Sequence, residues 1–215
     1  MTQARPRVLL ADDHLLVAEA LKSLLTPEFE LVGVVGDGRA LLEDALRLRP
    51  DVIVADITMP QLNGIDALVQ LRQLGSKAPV VFLTMHRDVA FARRALEAGA
   101  AGFVLKHSAP SELVTALHAA LEGQTYLTPQ LAGEVLRAMK QDPSDSGDPV
   151  MALTPRQREV LHLLAEGHSA KEVSAALSIS TRTVEFHKYQ IMDTLGVQTS
   201  YELVHFAIKY GLVEL

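Results

Sequence analysis

Five residues far apart in the chain carry side chains that could act together on one substrate: Asp12, Asp13, Asp56, Thr84 and Lys106. Three carboxylates brought together repel one another, and a divalent, oxygen-seeking cation relieves the repulsion. Mg2+ suits such a set because it takes one or two carboxylates, keeps several waters and leaves positions for phosphate oxygens. A carboxylate is also a nucleophile toward a phosphoryl donor, and the product is an acyl phosphate. The group in transfer is stabilised mainly by cations at its oxygens. Lys106 on one side and the metal on the other would supply that charge, and Thr84 can donate a hydrogen bond to a phosphoryl oxygen.

These residues follow short aliphatic runs at 8–11, 52–55, 80–83 and 102–105. With a further run at 31–35, they read as five buried strands whose unbroken apolar character fits a sheet covered on both faces. Segments 15–25, 41–48, 65–74, 89–98 and 113–121 lie between and after them, with apolar side chains at helical spacing. Strict alternation predicts an α/β fold, a doubly wound five-stranded parallel sheet of flavodoxin-like type. Ligands of such sheets sit beyond the carboxyl ends of the strands, so all five groups should meet at one edge. One Asp after a strand is most often a turn or cap residue; the set at a common edge points to a site. A phosphatase of the haloacid-dehalogenase type would need a second Asp two residues after Asp56, and Thr58 stands there.

Residues 124–140 read as one extra helix, and the Pro, Ser, Asp and Gly of 141–150 as a linker. From 151 the pattern is purely helical. Thr154, Ser169 and Thr199 each precede Glu or Gln by three residues, the signature of a capping box. Ser180 supplies a fourth cap, while Gly167, Gly196 and Gly211 follow helix ends. The expected organisation is a phosphoacceptor domain at 1–123, a connecting segment at 124–150 and a small all-α domain of four helices at 151–215. Its middle pair, joined by residues 178–180, would form a helix-turn-helix.

Composition narrows the function classes. Apolar residues make up 48% of the 215, and no uninterrupted apolar stretch reaches the ~20 residues of a membrane span. The apolar run near the N-terminus ends at once in two aspartates, unlike a secretory leader, so a cytoplasmic location is expected. The absence of cysteine excludes disulfides and thiolate metal sites, and the eight histidines form no zinc-binding motif. Net charge is −6, and residues 150–215 hold six Lys and Arg against seven Asp and Glu. A strongly basic nucleic-acid-binding domain is therefore absent.

On a helix starting after Ser180, Val184, Ile191 and Leu195 share one face and should be core. The opposite face carries Arg182, Phe186, Tyr189 and Asp193, flanked by Glu185 and Gln190. Two exposed aromatics suit a helix that something covers. In a major groove, apolar side chains meet thymine methyls, Gln reads adenine and Glu185 can accept from cytosine N4. Arg156, Arg182, Thr183, His187 and Lys188 are the candidate phosphate contacts. Alternatively, Phe186 or Tyr189 packs on the first domain or on a second subunit. With so few cations a single domain should bind DNA weakly, since affinity scales with cation–phosphate contacts. Two domains would have to act together at adjacent half-sites. The acidic balance also leaves open a regulator whose output domain binds protein.

Ala11-Asp12-Asp13-His14, Asp56-Ile57-Thr58-Met59-Pro60 with Gly64, Thr84, and Gly102-Phe103-Val104-Leu105-Lys106 resemble the receiver domain of two-component response regulators. Leu153-Thr154-Pro155-Arg156, Arg158-Glu159-Val160-Leu161, Glu166-Gly167, Thr183-Val184 and Leu195-Gly196-Val197 resemble a LuxR-type output domain, so the chain looks like the NarL/FixJ class. That resemblance implies phosphorylation of Asp56 by a sensor histidine kinase. It implies Mg2+ held by Asp13, Asp56 and the Thr58 carbonyl, with Asp12 acting largely through water. Thr84 and Phe103 would be a coupled switch pair, while Thr58 and His86 would tune dephosphorylation. Partners would be the kinase, double-stranded DNA and, once phosphorylated, a second copy of the chain. The class is one of regulators rather than turnover enzymes. The output could be release of the recognition helix from the receiver, dimerisation, or both.

Overall fold

The computed structural model describes residues 4–85, 89–140 and 149–213. Strands β1 (Arg7–Ala11), β2 (Glu30–Val35), β3 (Val52–Ala55), β4 (Val80–Thr84), β5 (Gly102–Leu105) and β6 (Tyr126–Leu127) form one parallel sheet in the order β2-β1-β3-β4-β5-β6. The order reverses beside β1 and β3, which places Asp12, Asp13 and Asp56 at the switch point where open α/β sheets bind ligands.

The sheet has six strands, not the five expected, and residues 124–140 are not all helix. Tyr126 and Thr128 donate their amides to the carbonyls of Ala101 and Phe103, each at 3.0 Å, pairing an edge of β5 that would otherwise be open. The Thr128 hydroxyl accepts from the Leu105 amide at 3.2 Å and donates to Glu112 at 2.8 Å. Helix α6 begins only after this turn.

Helices α1 (Leu15–Leu25) and α5 (Ala109–Leu121) cover one face of the sheet. Helices α2 (Gly38–Leu48), α3 (Gly64–Gln73), α4 (Val89–Glu97) and α6 (Pro129–Lys140) cover the other. Every residue of β3, β4 and β5 is buried, as strands covered on both sides require. Among the described residues no helix is long and apolar enough to cross a membrane.

The C-terminal region folds around a core of its own from α7 (Pro155–Ala165), α8 (Ala170–Leu177), α9 (Thr181–Leu195) and α10 (Ser200–Lys209). Thr154, Ser169 and Thr199 each close a reciprocal capping box, and Ser180 caps α9. Ser178, with left-handed backbone at φ 53°, makes the turn between α8 and α9.

The two cores meet along α7 and the turn after α10, which lie against α3, α4 and the β3–α3 loop. Arg158 Nε donates to Asp66 Oδ1 at 2.6 Å, and Gln70 Nε2 to Glu159 Oε1 at 2.6 Å. Arg94 donates to the Tyr210 carbonyl at 3.0 Å.

Candidate functional site

The carboxyl ends of β1, β3 and β5 deliver Asp12, Asp13, Asp56 and Lys106 to one place, and Thr84 ends β4 at the same edge of the sheet. Asp56 is fixed by its amide, which donates to the Ala11 carbonyl at 2.8 Å, and the adjacent strand therefore sets its height against Asp12. Its Oδ1 accepts from the Ile57 amide at 2.6 Å, while Oδ2 accepts from Lys106 Nζ at 2.6 Å. Lys106 also reaches Asp12 Oδ2 at 2.8 Å. Ligand atoms of Asp12, Asp13, His14 and Asp56 all lie within 4.8 Å of one another. The carboxylate oxygens of that group match the hard donors that Mg2+ prefers.

Electrostatics at this site oppose one another. Burial pushes the Asp56 carboxyl up to about 6, outweighing Lys106, which pulls it down; Asp12 adds to the rise. Burial alone would lower the Lys106 ammonium, but Asp56 and Asp12 reverse this and leave it raised. The site therefore holds one firmly charged ammonium beside more negative charge than it can neutralise, the condition that a divalent cation relieves.

Gly64 opens α3 against the back of this site. A side chain there would strike the Asp56 carbonyl oxygen, so only glycine lets α3 approach β3 so closely. Its amide donates to the Ile57 carbonyl at 2.7 Å. Thr58 is buried at the floor and Thr84 is fully buried at the end of β4. Phe103 is fully buried in the core cluster shared with α3, α4 and α6. His86 lies outside the described residues.

Residues 8–118 match the response regulator receiver domain, and residues 151–207 match the luxR family of bacterial regulatory proteins. The chain is a two-component response regulator with a LuxR-type DNA-binding domain. It is 35% identical to the transcriptional regulatory protein MctR of Rhizobium johnstonii, over 96% of this chain and 95% of that one. It is 32% identical to the oxygen regulatory protein NreC of Staphylococcus aureus, over 97% and 99%. Among solved structures it resembles the RcsB response regulator of Salmonella typhimurium, with a TM-score of 0.67 at 26% identity over 97% of this chain and 99% of that one. As a member of this family it is a regulator of the NarL/FixJ class rather than a turnover enzyme.

The candidate DNA-contact residues of this regulator fall into two groups. On α9, Phe186 and Tyr189 are 57% and 67% exposed, so neither packs on the receiver. Arg182 beside them is exposed, whereas Val184 and Ile191 are wholly buried. Glu185, His187 and Lys188 are half-buried on the flanks, and the Thr183 hydroxyl shares a 2.8 Å hydrogen bond with Ser180. Arg156 differs from these. Its guanidinium donates to Glu159 at 2.6 Å and to the Leu177 carbonyl at 2.6 Å, tying α7 to the end of α8.

Sequence reasoning passed over three residues at the receiver site. His14 Nδ1 stands 2.9 Å from Asp13 Oδ1, and its place directly after two aspartates was the available signal. His162 and Glu166 come from α7, in the other domain. Glu166 Oε1 accepts from the Gln61 amide at 3.0 Å. Gln61 has φ 66°, a left-handed backbone that costs a non-glycine residue about 1 kcal/mol. Burial works against the Glu166 charge, yet His162, the Gln61 amide and His168 together hold its carboxyl below the usual range.

Proposed function

We propose that this chain is a phosphorylation-dependent transcriptional regulator in which Asp56 takes a phosphoryl group from the phosphohistidine of a sensor kinase. The carrying observation is the 2.6 Å contact of Lys106 with Asp56 at the carboxyl edge of the sheet, with Asp12 and Asp13 beside it. A carboxylate oxygen of Asp56 attacks phosphorus, the P–O bond forms as the P–N bond breaks, and the departing imidazole takes up a proton. Attack requires the ionised carboxyl, and Lys106 favours that form. Asp13, Asp56 and the Thr58 carbonyl, with Asp12 mainly through water, would hold Mg2+, which neutralises charge on the transferred oxygens.

The product adds about −1.5 to −2 charge where Thr84 and Lys106 can meet it. Thr84 then shifts toward the phosphoryl oxygens and Phe103 repacks behind it, reshaping the surface of β4, β5 and their helices. Slow self-hydrolysis resets the protein, with Thr58 and His86 tuning access of water.

DNA is read by α9 through Phe186, Tyr189 and Glu185, with Arg182, Thr183, His187 and Lys188 on phosphates; Arg156 supports them from α7. The paucity of cations makes dimerisation the step that raises affinity. A related arrangement is seen in two RcsB dimers bound to two parallel DNAs, at 26% identity and a TM-score of 0.60. The regulator would act in the cytoplasm. Labelling with a small phosphoryl donor in the presence of Mg2+ tests the reading: wild type should take up one acid-stable, hydroxylamine-sensitive phosphoryl group and Asp56→Asn none. Equal labelling of both would overturn it.

A further inference from the structure

The receiver site does not end at the receiver. Between the β3–α3 loop and α7 lies a cavity of about 100 Å3, walled by Asp13 and Thr58 on one side and His162 and Glu166 on the other. Its walls thus include two of the residues proposed to hold the divalent cation. His162 is 2% exposed, and among the described residues neither ring nitrogen has a hydrogen-bond partner. Nε2 lies 3.3 Å from Glu166 Oε1, within ion-pair range but off hydrogen-bonding geometry. Glu166 Oε2 is buried and accepts no hydrogen bond among the described residues, with His168 Nε2 at 3.6 Å its ion-pair neighbour.

Buried polar atoms in native proteins almost always find a partner. Two ring nitrogens and one carboxylate oxygen without a hydrogen bond, on two residues that line one cavity, therefore call for a ligand that bonds to both. The volume has room for several waters. A hard dication keeps several of its waters when one or two carboxylates bind it, and those waters are strongly polarised donors. The Glu166 carboxylate and a ring nitrogen of His162 can accept from such donors.

We propose that His162 and Glu166 form the outer shell of the divalent-cation site, so that cation binding ties the DNA-binding domain to the receiver. The inference rests on the reading of Asp12, Asp13, Asp56 and Thr58 as the inner site. It adds that the inner site is complete only when the two domains are docked. By reciprocity, whatever separates the domains weakens the cation, and the cation holds the domains together. The Arg158–Asp66 pair, at the same interface but outside the cavity, makes the coupling testable without touching the cavity wall.

The test is Mg2+ titration of the full chain by calorimetry, without a phosphoryl donor, alongside hydrogen exchange of residues 158–166. Wild type should bind Mg2+, and Asp13→Asn should lose binding. His162→Ala and Glu166→Gln should each weaken it about fivefold or more, and Arg158→Glu should do the same from outside the cavity. Mg2+ should slow exchange across α7 in wild type and not in Asp13→Asn. If His162→Ala, Glu166→Gln and Arg158→Glu all bind like wild type, the bridge is wrong and the inner site stands. If wild type binds no Mg2+ at all, the inner-site reading falls and the bridge with it. Glu166→Gln keeps the size of a partly exposed side chain, so it reports even if His162→Ala fails to fold.

Discussion

Arg158 of α7 donates to Asp66 of α3 at 2.6 Å, joining the DNA-binding domain to the receiver through a pair that is largely shielded from water. Burial pushes the Asp66 carboxyl up, and Arg158 pulls in the opposite direction. The receiver therefore docks on α7 and on the turn after α10, and it leaves the exposed aromatics of α9 uncovered.

Removing one member of a buried ion pair strands the other, at a penalty on the order of 3 kcal/mol. Arg158→Ala should accordingly open the interface while each domain stays folded. Small-angle scattering should show a larger radius of gyration, with helix content by circular dichroism unchanged. The double variant Asp66→Arg with Arg158→Asp should recover much of the compactness. An unchanged radius in Arg158→Ala would show that the pair does not hold the domains.

Asp56 makes stability depend on pH in a defined direction. Its carboxyl moves from its usual 3.8 to about 6 on folding, chiefly through burial. Between those values the native state binds more protons than the unfolded chain, so stability falls as pH rises through the window. Above it the ionised group costs about 3 kcal/mol, the equivalent of about two pKa units. In cation-free buffer, Asp56→Asn should be more stable than wild type at pH 7, and the gap should close below pH 4. A gap that persists unchanged to low pH would contradict this origin.

The exposed aromatics of α9 should matter for DNA and not for folding. Phe186→Ala and Tyr189→Ala should each weaken DNA binding about fivefold or more, as aromatic anchors typically contribute above ~1 kcal/mol. Stability should shift by no more than about 0.5 kcal/mol, as for other surface substitutions. Fluorescence anisotropy with DNA and thermal melts measure the two effects; a large loss of melting temperature would place these rings in the core instead.

Gly64→Ala should damage the receiver site from behind. The added carbon would push on the Asp56 carbonyl, which overpacking data put at about 1–3 kcal/mol. Labelling of Asp56 by a small phosphoryl donor should slow together with the loss in melting temperature.

Much of this was legible because it is local. The boxes at Thr154, Ser169 and Thr199 need only residues three apart, and each forms as read. Likewise, Asp12, Asp56, Thr84 and Lys106 follow strands whose apolar runs are unambiguous, and strand ends share an edge in any parallel sheet. The two residues of β6 were not legible. Tyr126 and Leu127 are too few to show alternation, and their pairing follows from the open edge of β5. The faces of α7 were hidden for another reason. Gln157, Glu159 and His162 are polar residues buried at a helix whose partners lie in the other domain or beside it, and periodicity marks only apolar burial. A buried His162 four residues before Glu166 becomes informative once docking places both beside Asp13.

Phosphorylation of Asp56 should turn a weak DNA reader into a strong one. The most direct measurement is DNA retardation by full-length protein, before and after treatment with a phosphoryl donor and Mg2+, at ~150 mM salt where phosphate contacts are screened. Wild type should shift DNA only after treatment, and Asp56→Ala should not shift it under either condition. Equal retardation by treated wild type and treated Asp56→Ala, or by wild type before and after treatment, would contradict this reading.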